Sequence, residues 1–501
     1  MNIGLIPLDE RPVNTRYPRM IAQIAGVELY LPPAQVLSRF RIPAYSKKLS
    51  RWLEEIAPQL DYLVASYEML GYGSLISSRI SREPVDAIIS RLQILHGIKR
   101  RSPALKIMGF NLIMRISNAN SAVEEPEYWA TEGMQFFQFS QLVDRQAQGQ
   151  EVARELEKIN RLLSPAHVQD FLMRRLRNHT INLVAIQMLL NGDLEALVLS
   201  SDDTSPYGLS SSEKRALAQW VRHVDLAGRL LMYPGADEVG CALLARAINE
   251  AHGYQPGFKI SYAVPDGKDI VASYEDSPVS VTLERQIRAV GGKVVDKGGD
   301  FWVAVNPPST RRTEWEAGFA EAERRERLPY LQMMVDEIKR RLAVGQAVIV
   351  ADVAYPNGAD PLLIELLLNS IDITQLAAFG AWNTAGNTIG TALAQACAAH
   401  WAESPEQREA QQRFLLHRFL EDWGYQQEVR EETRQWMDGK FKSHSVNAKN
   451  YPQVLSFIYR GLQKRLGQLP GFAGKYRLVE SSLRLPWDRL FEVDFELELV
   501  K

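Results

Sequence analysis

The sequence predicts an α/β fold with two mainly parallel-sheet domains of Rossmann-like type facing a cleft, then a helical C-terminal region ending in a β-ribbon. Three observations carry this expectation. Short β-rich runs alternate with amphipathic helical stretches over the first 400 or so residues, the pattern of parallel sheets covered on both faces. More than eight such runs occur, too many for a single eight-stranded barrel. An N-terminal barrel followed by a smaller sheet domain is the alternative. From Pro405 onward the pattern changes to helices.

Taken in order, strands are expected at 3–8, 27–31, 62–66, 106–114, 196–201 and 230–233. A break at His252-Gly253-Tyr254-Gln255-Pro256-Gly257 precedes a second set at 259–264, 293–295, 301–305, 347–350 and 377–379. The expected domains are therefore 1–255, with a helical insertion at 127–192, then 256–403, then 404–501. Residues 151–190 carry apolar side chains at helical spacing, broken at Ser164-Pro165, and 314–342 form an amphipathic run interrupted at Pro329. Helices are expected at 407–423 and 454–466, and the ribbon at 476–479 and 491–500. The sequence contains no internal repeat.

Composition narrows the class. The chain has 501 residues, 46% of them hydrophobic, enough for substantial cores. Lys and Arg number 58 against 60 Asp and Glu, a net charge of −2, which argues against nucleic acid or an acidic membrane as the main partner. Two cysteines cannot build a disulfide framework. The opening MNIGLIPLDERPVN lacks a signal-peptide pattern, and no window of about 20 residues is apolar enough to span a bilayer. The expectation is a cytoplasmic protein whose partner is a small molecule; composition does not set its oligomeric state.

The informative pattern is positional, because most expected strands run into a polar cluster. The first runs into Asp9, Glu10 and Arg11, the third into the Tyr67–Gly73 stretch with Glu68, and the fourth into Arg115. The fifth ends in Asp202 and Asp203, the sixth in Asp237 and Glu238. Further on come Asp352 with Asn357, and Trp382, Asn383 and Asn387. Ligands of parallel α/β folds bind outside the carboxyl ends of the strands, where these residues gather. Each also has a structural reading. One of Asp202 and Asp203 serves as a helix cap, but two adjacent acids exceed what a cap requires. Asp237 and Glu238 suit a first helical turn, and Trp382 suits a core. Within 174–182, Arg177 and Asn178 lie on an otherwise apolar helix that either presents a solvated face or points into the acidic strand ends.

Walker A, G-x-G-x-x-G, G-x-S-x-G, H-E-x-x-H and C-x-x-C motifs are all absent. No cofactor is called for, although a divalent metal on Asp202, Asp203, Asp237 or Asp352 needs no signature spacing. At LDERPVN, the 67–79 stretch, Arg177-Asn178, SDDTSPYG, PGADE, ADVAYPNGAD and AWNTAGNT, the chain resembles an uncharacterised bacterial family, domain of unknown function 4127, from residue 1 to about 400. That resemblance implies site candidates but no reaction. The strand running into Asp202-Asp203 also resembles, over a few residues, the catalytic pair of retaining hexosaminidases that use the substrate's acetamido group.

Carboxylates without a cofactor fingerprint point to general acid/base chemistry. The leading expectation is a glycoside hydrolase-like enzyme acting on a small polar sugar substrate. Asp202, Asp203, Asp237 and Glu238 would be the catalytic candidates. Asp9, Glu10, Arg11, Glu68, Arg115, Arg177, Asn178, Asp352, Asn357, Trp382, Asn383 and Asn387 would bind substrate. The alternatives are a divalent-metal-dependent hydrolase or lyase/isomerase of sugar-like acids, and a non-catalytic carbohydrate-binding or sensing protein.

Overall fold

Two parallel sheets carry the fold. The computed structural model describes residues 1–202, 204–223, 228–308, 315 and 320–500. The first sheet joins β1 (Asn2–Ile6), β2 (Glu28–Tyr30), β3 (Tyr62–Ser66), β4 (Lys106–Ile113), β5 (Ala196–Ser201) and β6 (Leu230–Pro234). Their order is β2-β1-β3-β4-β5-β6. Leu5 stands opposite Val64, Val64 opposite Met108 and Phe110 opposite Val198. Every residue of β3 and β5 is buried, because helices cover both faces of a parallel sheet. The sheet is open, with β2 and β6 as its edges, so the barrel alternative does not hold.

The second sheet joins β7 (Gly257–Tyr262), β8 (Lys293–Val294), β9 (Phe301–Asn306), β10 (Ala347–Asp352) and β11 (Ala378–Gly380). Its order is β11-β10-β9-β7-β8. In both sheets the first strand lies between the second and third, one of the common doubly wound orders, which places a switch point at β1/β3 and another at β7/β9. The sequence shows no repeat, yet the winding occurs twice. The ribbon is present as β12 (Tyr476–Arg484) paired antiparallel with β13 (Asp494–Leu499).

The chain forms two units. Met1–Glu10, Val27–Leu243 and Tyr274–Asp276 make the first; Arg11–Gly26, Leu244–Ser273 and Ser277–Lys501 make the second. In the first, Leu63, Ile107, Leu197 and Leu199 pack with Ile88, Leu92 and Ile181 from helices. In the second, Val348, Val350 and Phe379 pack with Leu363, Phe419, Leu462 and Phe495. Burying each such side chain contributes about 1.5–3 kcal/mol. The Pro12–Ala25 helix follows β1 in sequence but belongs to the second unit, where the Tyr17 and Phe414 rings meet at 5.3 Å.

Local signals explain several helix ends. Ser164 and Pro165 open the 26-residue Pro165–Leu190 helix, since proline at a first turn sacrifices only an unpaired N–H. Ser404 and Gln407 form a capping box ahead of Pro405–Arg418. Pro329 departs from expectation, lying inside the Ala320–Ala343 helix instead of ending it. The fully buried Leu331, Val335 and Ile338 hold that helix on the core, and this packing outweighs one lost hydrogen bond. No helix among the described residues is long and apolar enough to cross a membrane.

After β3 the chain enters a wide π-helical turn, Glu68–Tyr72, closed by Gly73 at φ 98°. The Gly73 carbonyl accepts the Ala44 N–H at 3.0 Å. A Cβ on Gly73 would lie 2.7 Å from Pro43 Cβ and 2.9 Å from Ala44 N. Gly73→Ala should therefore destabilise the fold by about 3 kcal/mol. Gly149→Ala, with φ 83° but nothing within 4 Å, should cost about 1 kcal/mol. Urea unfolding of the two variants checks this; equal losses would mean that the dihedral alone matters.

Candidate active site

The carboxyl ends of β3, β4 and β5 bring one group of polar side chains together in the first unit. Continuous apolar strands deliver their next residues to one edge, and the wide turn after β3 folds Glu68 back toward the neighbouring strand. Glu68 is 2% exposed. Its Oε1 accepts the Leu112 N–H at 2.6 Å and its Oε2 accepts the Ser66 hydroxyl at 3.0 Å. Burial pushes its pKa up to about 7; the hydrogen bonds pull down and the Asp202 charge adds to the rise.

Asp202, at the end of β5, pairs with Arg79 Nη2 at 2.5 Å. Arg79 is itself 2% exposed and gives Nη1 to Glu124 at 2.7 Å. Arg115 continues the lattice to Glu124 at 3.0 Å and Glu125 at 3.2 Å. Burial raises the Glu125 pKa. Glu68, Tyr72, Ser78, Asn111, Asn178 and Asp202 line a cavity of about 10 Å³, room for about one water. The buried Ser200 and Ser201 hydroxyls, adjoining Asp202 in the chain, have no hydrogen-bond partner among the described residues.

The Pro165–Leu190 helix supports this edge more than it answers its charges. Arg177 donates to the carbonyls of Ser78, Ser81 and Glu83, Arg174 pairs with Asp170 and Arg175 with Glu213. Asn178 is the helix residue that reaches the cavity, accepting from the Tyr72 hydroxyl at 2.8 Å and donating to the Ser78 carbonyl at 3.1 Å. The cation beside Asp202 is Arg79, from another element. The sequence places Arg79 in the polar run after the third strand without singling it out, and points to neither Asn111 nor Ser66. Their signals were a polar run after the third strand and a lone amide within an apolar strand.

Other expected residues lie elsewhere. Asp203 falls outside the described residues. Asp237 and Glu238 are buried at the end of β6, and Glu238 accepts the Ala236 N–H at 2.9 Å. Asp9 is fully buried, and Glu10 accepts from the Ser38 hydroxyl and the Phe40 N–H. Arg11 belongs to the second unit, 3.8 Å from Glu492 and over the Trp487 ring.

In the second unit Asp352 acts as a brace. Its Oδ1 accepts from Asn306 Nδ2 at 2.8 Å and its Oδ2 from the Asp360 N–H at 2.7 Å. Burial and the neighbouring Asp360 push its pKa up to about 7. Arg327 closes the set on Asp360 at 3.1 Å. Asn357 and Asn383 take left-handed φ of 59° and 60°, and the Asn357 N–H donates to the Asn383 carbonyl at 3.0 Å. Asn387 is buried in the first turn of a helix capped by Thr384. Trp382, which the sequence leaves between a core residue and a substrate contact, is 1% exposed, with the Phe491 ring edge-on at 6.4 Å. Among the described residues no three His, Cys, Asp or Glu side chains gather as a metal site.

These features define a doubly wound α/β protein with a buried acidic pocket at its strand ends. The chain belongs to DUF4127, a family described as protein of unknown function, which it matches over residues 3–496. The match includes the C-terminal region, beyond the residue near 400 where the motifs thin out. No curated protein and no solved structure matches the chain.

Between pH 4.5 and 7 the folded chain holds the Glu68 proton where the unfolded chain has lost it. Stability therefore falls as pH rises through that window, by about 3 kcal/mol for a shift of this size. Glu68→Gln removes the dependence. Its unfolding free energy should gain about 3 kcal/mol on wild type between pH 4.5 and pH 8, read by urea unfolding at both. A pH-independent difference would mean that this proton is not on Glu68.

Proposed function

We propose that this chain is a glycoside hydrolase-like enzyme that cleaves a glycosidic bond in a small, hydroxyl-rich substrate. One observation carries the reading: two carboxyl groups line one cavity in different surroundings, Glu68 buried with its pKa pushed up to about 7 and Asp202 ion-paired with Arg79. Environments that separate the protonation of two neighbouring acids assign an acid and a base. Glu68 supplies the proton to the leaving oxygen. Asp202 takes one from the attacking water or stabilises positive charge at the sugar. Asn111 and Asn178 offer amides to orient hydroxyls or water. In this assignment Glu68 moves from binding to catalysis, while Asp237 and Glu238 hold the adjoining strand end. Two buried cysteines, Cys241 and Cys397, that form no disulfide support a reducing, cytoplasmic setting.

The test is hydrolysis of a panel of glycosides. Asp202→Asn should lower kcat/KM by about 100-fold or more on every substrate turned over. Glu68→Gln should lose about as much on alkyl glycosides and much less on nitrophenyl glycosides, whose leaving groups need little protonation. Wild-type activity should fall above about pH 7, where the acid form disappears. A substrate bound and recovered unchanged would favour a carbohydrate-binding role, and full activity in both variants would sink the assignment.

A further inference from the structure

The Pro165–Leu190 helix turns its charges inward and its apolar side chains outward. Arg174, Arg175 and Arg177 are buried, each committed to acceptors of the first unit. On the outer face Met173 and Leu176 are 60% and 62% exposed, Leu183 and Leu190 37% and 49%. Among the described residues of this helix, no exposed one is charged. An amphipathic surface helix ordinarily presents charges to water and its apolar stripe to the core, so the outward stripe here is an unpartnered face.

The spacing along that face selects what fits it. Met173, Leu176, Thr180, Leu183, Gln187 and Leu190 follow one another at steps of three and four residues, the 3.5-residue period on which one helix packs along another. They span about 26 Å at 1.5 Å per residue. Covering Thr180 strands no donor, since its hydroxyl already donates to the Leu176 carbonyl at 2.8 Å. We propose that the face pairs with itself: two copies of the chain lay this helix antiparallel about a twofold axis between residues 181 and 182. That axis sets Met173 against the partner's Leu190, Leu176 against the partner's Gln187 and Thr180 against the partner's Leu183. Every layer joins the two different sites of the heptad, and the Gln187 amide fixes this register at some cost in affinity.

A second copy is the occupant these observations favour. An uncharged face brings no like charges together about a twofold axis, whereas a charged segment would bury its charges there without counter-ions. Helices that lie in a membrane surface carry Lys and Arg on their polar face, and the arginines of this one are held inside the protein. A single helix pair, about 10 Å wide, covers less than the about 800 Å² per partner of a standard interface. The dimer is therefore of micromolar strength.

Sedimentation velocity of the full chain between about 1 and about 200 µM tests the pairing, with a reversible dimer of Kd on the order of 10 µM expected. Leu176→Glu should weaken it at least about 30-fold with an unchanged Tm, because that side chain is mostly exposed in the single chain. Mild oxidation of a Thr180→Cys chain mixed with a Leu183→Cys chain should give a disulfide-linked dimer, and Thr180→Cys mixed with Leu190→Cys should not. The native Cys241 and Cys397 are buried and do not compete. A chain monomeric at the highest concentration, undiminished dimerisation in Leu176→Glu, or cross-linking indifferent to position would each overturn the proposal. Binding of the monomer to phosphatidylcholine vesicles, lost in Leu176→Glu, would overturn it too and assign the face to a membrane surface.

Discussion

The polar edge of the first unit depends on one desolvated cation, Arg79. A guanidinium at 2% exposure has lost its water and must be matched by charge at short range. Asp202 and Glu124 do this at 2.5 and 2.7 Å, and Glu124 shares itself with Arg115. The pairing fixes where the loops after β3 and β5 and the segment at 124–125 must lie. Removing Arg79 would leave Asp202 without its cation and Glu124 with Arg115 alone, and a carboxylate stripped of its partner costs more than the lost contact. Glu68 stands outside this pairing. It is buried as deeply, yet its partners are an amide and a hydroxyl, so protonation is the remaining way to lower the cost of its burial.

The second unit meets the same requirement with a different outcome. Asp352 is buried at the end of β10, but both its oxygens are committed, to Asn306, Ala354 and the Asp360 amide. Asp360 in turn caps the Pro361–Ser370 helix and pairs with Arg327. Every group faces another group of the loop, so the network specifies a backbone path and offers no open side. Deeper in the same unit, Arg418 and Asp422 pair at 2.5 Å with Asp422 Oδ2 also accepting the Ala381 N–H. Buried ion pairs of this kind contribute little net stability but penalise alternative packings.

The architecture was legible because its cause is local and repeated: apolar runs of strand length alternating with amphipathic helices leave few other solutions. Strand positions such as 62–66 and 106–114 coincide with β3 and β4 to within a residue. What could not be read was which chain segment joins which unit. The Pro12–Ala25 helix sits with the second unit because Tyr17 packs on Phe414 and Arg16 pairs with Asp494, nearly five hundred positions away, and no periodicity reports such partners. The strand-end rule brought out Asp202, and Asn178 stood out as an amide within an otherwise apolar helix; both line the cavity. It could not rank Glu68 above Asp237, because burial and the missing countercharge are properties of the pocket. Trp382 carries two readings in the sequence, core and substrate contact, and its 1% exposure favours the first.

Equal winding with unequal strand ends is what favours the first unit in the proposed reading. Both sheets place buried acids beyond their carboxyl edges, and both acids, Glu68 and Asp352, are pushed to about 7. The shift alone therefore cannot distinguish a catalytic group from a brace. Geometry does. Both oxygens of Asp352 are taken up by Asn306, Ala354 and Asp360, whereas Glu68 shares a water-sized cavity with a second, ion-paired carboxylate, two amides and two hydroxyls. A purely structural acid gains nothing from a cavity on its flank, since empty space forfeits contacts. A group that must exchange a proton needs one.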